Sequence, residues 1–115
     1  MTFDAVALCR DQPVPAVMLS AMLAAGEQLK VDTVDVTQLI QLRHPDDGRL
    51  MLTTEGPRLV QVPGEARRLL GVDVPSPVWW VETRTPDGDP EAEAAARRFT
   101  HALVAALGGA AWSSR

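Results

Sequence analysis

Prolines and glycines divide this chain of 115 residues into short segments, and that division limits what the chain can fold into. Nine prolines and eight glycines are present. Proline removes a backbone donor and restricts the residue before it, while glycine adopts turn conformations that other residues avoid. Each stretch between two such turn signals holds one strand or one helix, so we expect a domain of many short elements.

The apolar pattern between these turns predicts eight elements in the order β-α-β-β-β-α-β-α, forming a single domain over residues 1–115. Strands are expected where apolar residues alternate or cluster, over residues 3–8, 34–43, 49–54, 59–62 and 78–84. Helices are expected over 15–25, 65–70 and 90–107. The last helix has the clearest beginning, because Asp89 can cap it and Pro90 suits its first turn.

The middle of the chain predicts the type of sheet. Within the stretch 34–43, four apolar residues share one face at a spacing of two, namely Val34, Val36, Ile40 and Leu42. Three consecutive strands joined by short turns are typical of an antiparallel meander. We therefore predict a two-layer α+β fold whose helices lie on one face. After the last helix we expect Trp112 to fold back, followed by a loose tail over 113–115.

Composition excludes several classes of protein. The net charge is −4, which disfavours binding to nucleic acid or to an anionic membrane. A lone cysteine, Cys9, cannot form an internal disulfide, and its place at the end of an apolar run is typical of a buried thiol. The opening residues lack a secretory signal, and the charge-free stretch 13–25 is too short to span a bilayer. We expect a cytoplasmic protein.

Residues for familiar catalytic and cofactor chemistry are not grouped in this sequence. It has no glycine-rich phosphate loop, and Gly108 and Gly109 end a helix instead of beginning one. His44 with Asp46 and Asp47 is the nearest candidate metal site, but one histidine and two aspartates of a single turn are a thin ligand set. We therefore expect no catalytic residues, no cofactor and no metal.

The helix expected over 15–25 is apolar on more than one side. A helix that is apolar all round is typically buried on both sides, and a domain this small has little else to cover the second side. Exposed alanines on the outer face are an equally good explanation. On the first interpretation another subunit covers the helix, and we predict that Val17, Met18 and Met22 contact a protein partner in a homodimer.

Two adjacent tryptophans mark the strand expected over 78–84. Successive side chains of a strand point to opposite faces, so Trp79 and Trp80 cannot both enter the same core. Trp80 shares a face with Glu82 and Arg84, which favours it as the outward ring. We predict a protein-interaction surface that contains Trp80, Glu82 and Arg84, although helices on both faces would bury both rings.

Several stretches resemble small uncharacterised α/β proteins of high-GC actinobacteria that carry a Pro-Val-Trp-Trp motif. The matching stretches are 59–66, 77–82 and 99–109, followed by Trp112. The resemblance covers most of the chain and implies no activity, but some such proteins are encoded near specialised secretion genes. The element order also looks like that of small secretion chaperones, in which a helix and a twisted sheet pair into dimers.

These observations lead to one principal hypothesis and two alternatives. The principal hypothesis is a non-enzymatic protein-interaction module of the secretion adaptor or chaperone kind, which acts as a homodimer. The first alternative is a small-molecule-binding or weakly hydrolytic domain, with a pocket that uses Trp80, Glu82, Arg84 and His44. The second alternative is an immunity-type partner that neutralises a toxin, since an acidic chain suits a basic target.

Overall fold

A computed structural model describes residues 2–34 and 39–115 of the chain. The described residues form seven strands and three helices. In chain order these elements are β1 Thr2–Cys9, α1 Pro15–Ala25, β2 Lys30–Val34, β3 Leu39–Arg43, β4 Leu50–Thr54, β5 Arg58–Val60, α2 Glu65–Leu70, β6 Val78–Pro86, α3 Pro90–Leu107 and β7 Gly109–Ser113.

All the strand pairs described are antiparallel, which confirms the α+β class. The strands lie in the order β2-β3-β4-β6-β1-β7. β5 stands off this path and pairs with the first half of β6, over residues 78–80. β4 pairs with the same strand further along, at residues 83 and 84. The long strand β6 therefore joins the meander to the central strand β1.

Two parts of the prediction need correction. A single strand was expected over 34–43, whereas the structure has β3 over 39–43 and a further strand, β2, over 30–34, which pairs with β3 antiparallel and was not expected. Val36, one of the residues expected to share a face, lies outside the described residues. The C-terminus folds back as expected, and it does so as the strand β7 against β1. The expected loose tail is attached instead, since the Ser114 amide donates to the Asp4 carbonyl at 2.8 Å.

The helices lie on both faces of the sheet, not on one. The long helices α1 and α3 pack on one face, against the β1 side chains of Phe3, Ala5, Ala7 and Cys9. The short helix α2 packs on the opposite face, where Ala66 meets a second cluster formed by Val6, Leu8, Val78 and Trp80. Neighbouring residues of β1 therefore enter different cores, as the alternation of side chains along a strand requires.

Helix α3 is the longest of the described helices, with 18 residues. The prediction of its cap is confirmed, because Asp89 Oδ1 accepts from the Ala92 amide at 3.2 Å. Its sheet-facing side carries three buried alanines, Ala92, Ala95 and Ala96. Such small side chains let the helix lie close to the strands beneath it. None of the helices in the described part of the chain is both long and apolar enough to cross a membrane.

Asp89 also joins the start of α3 to the turn between β3 and β4. Arg49 Nε lies 3.0 Å from Asp89 Oδ2, and Arg49 Nη1 lies 2.8 Å from Asp47 Oδ2. The hydrogen bond from Arg49 is the main cause that lowers the pKa of Asp89. The carboxylate form of Asp89 is therefore stabilised by the fold.

We expect Asp89→Ala to lower the free energy of unfolding by about 1–2 kcal/mol, because the helix loses its cap. Asp89→Asn keeps a capping oxygen and loses only the charge, so its smaller effect isolates the ion pair with Arg49. A depressed pKa stabilises the fold above about pH 4, the usual range of the carboxyl, and this contribution disappears as the pH falls through the folded pKa. Urea unfolding between pH 2 and 7 measures both effects. Equal stability of the Ala and Asn variants would contradict the capping role.

Candidate functional site

The outer face of α1 carries two of the large apolar side chains that are exposed in the described part of the chain. Leu19 and Leu23 are 56% and 51% exposed, one turn apart on the same side. Ala16, Ser20 and Ala24 are exposed beside them, and the helix has no charged residue. We call these five residues the α1 outer face. An uncharged helix face with two exposed leucines is unusual, because exposed helix faces normally carry polar or charged side chains.

The residues predicted for this helix face the other way. Met18 and Met22 are buried in the core, and Val17 is half-buried at its edge. Arg98 of α3 fixes this orientation, since its Nε and Nη2 donate to the Ala25 carbonyl at 3.1 and 2.6 Å. The prediction that Met18 and Met22 contact a partner is therefore wrong, because both side chains are packed in the core of this chain.

Leu19 and Leu23 are the residues that sequence reasoning passed over. Each lies one position after a buried methionine, which turns it about a quarter of the way round the helix. The spacing of Ala16, Leu19, Ser20 and Leu23 already placed them on one side. Without charges on any side, however, the pattern did not reveal which side faces solvent.

The two tryptophans enter opposite faces, as predicted, but their exposure is the reverse of the prediction. Trp80 is only 5% exposed and belongs to the cluster beneath α2. Trp79 is half-buried at the edge of the core beneath α1 and α3. Trp80 was expected to face outward because it alternates with Glu82 and Arg84. The correction has a simple cause: α2 covers the first half of β6 on this face and leaves the second half open.

Glu82 and Arg84 lie on that open second half. Arg84 Nη2 approaches Glu82 Oε2 at 3.4 Å, and Arg84 Nε approaches Asp4 Oδ1 at 3.5 Å. The Trp80 indole donates to Glu82 Oε1 at 3.4 Å, a long contact. These groups share one face of the sheet, whereas α1 lies on the other face. The structure therefore does not unite the six predicted interaction residues into one surface.

His44 is held in a network of fixed contacts. Its Nδ1 accepts from the Asp46 amide at 3.1 Å, and its Nε2 lies 3.0 Å from Glu91 Oε1. Asp47 is engaged by Arg49, whose hydrogen bonds lower the pKa of Asp47. Within the described residues, no three groups of the metal-binding types come together.

A cleft of about 360 Å³ opens beside His44, between the end of α1 and the start of α3. Its floor contains the buried residues Ala25, Met51 and Ala95, and Glu91 and Arg98 stand at its rim. His44 belongs to this cleft, whereas Trp80 is buried in the cluster beneath α2. The pocket proposed from sequence, which combined His44 with Trp80, Glu82 and Arg84, is therefore not formed.

Comparison with known proteins yields no match: no family model fits the sequence, and neither a curated protein nor a solved structure resembles the chain significantly.

Cys9 is buried between the sheet and its covering helices, as the sequence predicts. Burial raises the pKa of the Cys9 thiol to about 11, because the thiolate would lose its hydration there. A thiol in this environment is a poor nucleophile at neutral pH.

We expect Cys9 to remain unmodified by a thiol reagent in the native protein at pH 8 and to react at once in denaturant. The raised pKa also predicts that stability falls as the pH rises from about 9 toward 11, because only the unfolded chain releases the proton there. Cys9→Ala removes this part of the pH dependence. Rapid modification of the folded protein would contradict the burial.

Proposed function

We propose that this chain is a non-enzymatic protein-interaction module that acts as a homodimer through the α1 outer face. The observation that carries the proposal is the exposure of Leu19 and Leu23, at 56% and 51%, on a helix without any charged side chain. Burial of apolar surface is the main driving force of association between proteins. Two leucines and the flanking small residues would bury such surface against a partner.

The pattern of the α1 outer face suits a second copy of the same helix. Ala16, Ser20 and Ala24 are spaced by four residues, which places three small side chains in a row along the helix. Such a row lets another helix approach closely, with Leu19 and Leu23 packing together along one side of it. A two-fold dimer uses the same patch on both subunits, and an uncharged patch meets no repulsion from its own copy.

Other features support a role in binding instead of catalysis. The thiol of Cys9 is buried with a raised pKa, and His44 is occupied by Asp46 and Glu91. The Cys9 thiol is therefore shielded from solvent, and both nitrogens of the His44 ring already have partners within this chain. The element order predicted from the sequence looks like that of small secretion chaperones, which pair into dimers, and an adaptor or chaperone of that kind is the biological role we propose.

Two substitutions on the α1 outer face test the homodimer. We expect the double variant Leu19→Glu and Leu23→Glu to weaken dimerisation by about a hundredfold or more, because apolar contacts are lost and like charges meet across the two-fold axis. Sedimentation velocity over a range of concentrations measures the change. Circular dichroism and the melting temperature of the isolated subunit should be nearly unchanged, since both positions are exposed.

A matched control uses leucine and valine side chains that are equally exposed elsewhere. Val62 and Leu69 are 62% and 52% exposed on the segment that covers the opposite face. Val62→Glu with Leu69→Glu should leave the dimer intact. A wild-type protein that stays monomeric at millimolar concentration would refute the proposal, and so would an unchanged dimer in the α1 variant.

A further inference from the structure

A second hollow lies on the face of the sheet opposite α1, where β1 ends and β7 begins. It has a volume of about 200 Å³. Leu8 and Val78, both buried, form its floor, and the connector after α2 forms its wall with Val74, Pro75 and Pro77. The exposed Asp73 of the same connector lies at its edge and pairs with Arg67 at 3.6 Å. The inside of this hollow is therefore mostly hydrocarbon, as in pockets that bind small molecules.

Two glycines shape the side of the hollow that faces β7. Gly109 has a φ of 119°, and a Cβ at this position would lie 1.8 Å from the Leu8 carbonyl oxygen. Only glycine therefore allows β7 to begin so close to β1. A Cβ at Gly108 would lie 3.2 Å from Arg10 Cζ, so the guanidinium rests directly on the backbone of Gly108. Arg10 is thereby positioned at the rim of the hollow, above Leu8.

Arg10 differs from the other arginines in its partners. Every one of the other nine contacts a carboxylate, a carbonyl oxygen or an aromatic ring. Carboxylates engage Arg43, Arg49, Arg67, Arg68, Arg84 and Arg115. Carbonyl oxygens accept from Arg97 and Arg98, and Arg58 stands over the Trp80 ring. Among the described residues, the Arg10 guanidinium has no partner of these kinds, so its donors remain available to a ligand.

We propose that this hollow binds a compact apolar carboxylate. The carboxylate takes paired hydrogen bonds from the planar Arg10 guanidinium, which suits that group better than an ammonium would. The hydrocarbon part of the ligand rests on Leu8 and Val78. A free branched-chain acid and the C-terminal residue of a peptide share this chemistry. The site lies on the other face from the α1 outer face, so it is independent of the proposed homodimer.

Isothermal titration with 4-methylpentanoate tests the site, with 4-methylpentanamide as the neutral match. We expect the acid to bind and the amide to bind at least about tenfold more weakly, because a charge-assisted hydrogen bond contributes more than a neutral one. N-acetyl-leucine and a tripeptide that ends in leucine then distinguish a free acid from the C-terminal residue of a peptide as the ligand. Tighter binding of the tripeptide assigns the site to peptide ends, and tighter binding of the small acids assigns it to free acids.

Three variants locate the binding. Arg10→Gln should raise the Kd for the acid about tenfold or more, and should bring it close to that of the amide. Ala110→Leu, which fills the hollow from β7 and leaves Arg10 in place, should weaken both ligands. Arg84→Gln, an exposed arginine paired with Asp4 and Glu82 outside the hollow, is the control and should bind as the wild type does.

The proposal is overturned by any of three results. These are the absence of binding at millimolar acid, equal binding of the acid and the amide, and an unchanged Kd in Arg10→Gln. Because Arg10 is exposed, the variant is expected to fold, and its melting temperature verifies this. The α1 double variant should bind the acid normally, so a failure here is distinct from a failure of the homodimer.

Discussion

The pairing of β1 with β6 is the interaction on which the rest of the structure depends. β1 pairs with β6 along its whole length, from Thr2 to Cys9, and its other edge pairs with β7. Side chains leave β1 alternately toward the core under α3 and toward the core under α2. Loss of this strand would open both cores at once. Burial on both faces also explains why β1 is apolar at successive positions, since such a strand needs no alternation with polar residues.

The two faces of this strand pair are covered to different extents. On one face α3 lies close to the sheet because its inward residues are small, and α1 packs beside it through Met18 and Met22. On the other face the six residues of α2 cover only one end of β6. Trp80 is buried there, whereas Glu82 and Arg84 further along the same strand remain in contact with solvent. The limited reach of α2 thus separates a buried cluster from an open polar surface.

The two proposed binding surfaces differ from the rest of the molecule in how their charged residues are paired. Most arginines are tied to carboxylates, such as Arg49 at the start of α3 and Arg115 at Asp87 and Glu93. These exposed pairs stabilise the fold only modestly. α1 has no charged residue, and the Arg10 guanidinium has no carboxylate, carbonyl or aromatic partner among the described residues. The two binding surfaces are proposed at these two features, the uncharged α1 outer face and the hollow beside Arg10.

The sequence by itself determined the elements whose signals are local. Asp89 and Pro90 begin α3, Gly108 ends it, and the β-branched and aromatic run after Pro77 forms β6. Such signals act within a few residues, so they can be read without the fold. The same is true of α1, whose lack of charge singled it out as a candidate interaction helix.

Only the tertiary structure decided which side of each element is covered. It turned Met18 and Met22 inward and Leu19 and Leu23 outward, and it placed α2 over Trp80. It also paired residues 30–34, as β2, with β3, and it gave β7 a partner in β1. These outcomes depend on contacts between residues far apart in the chain, and an apolar pattern without charges does not distinguish one face from the other.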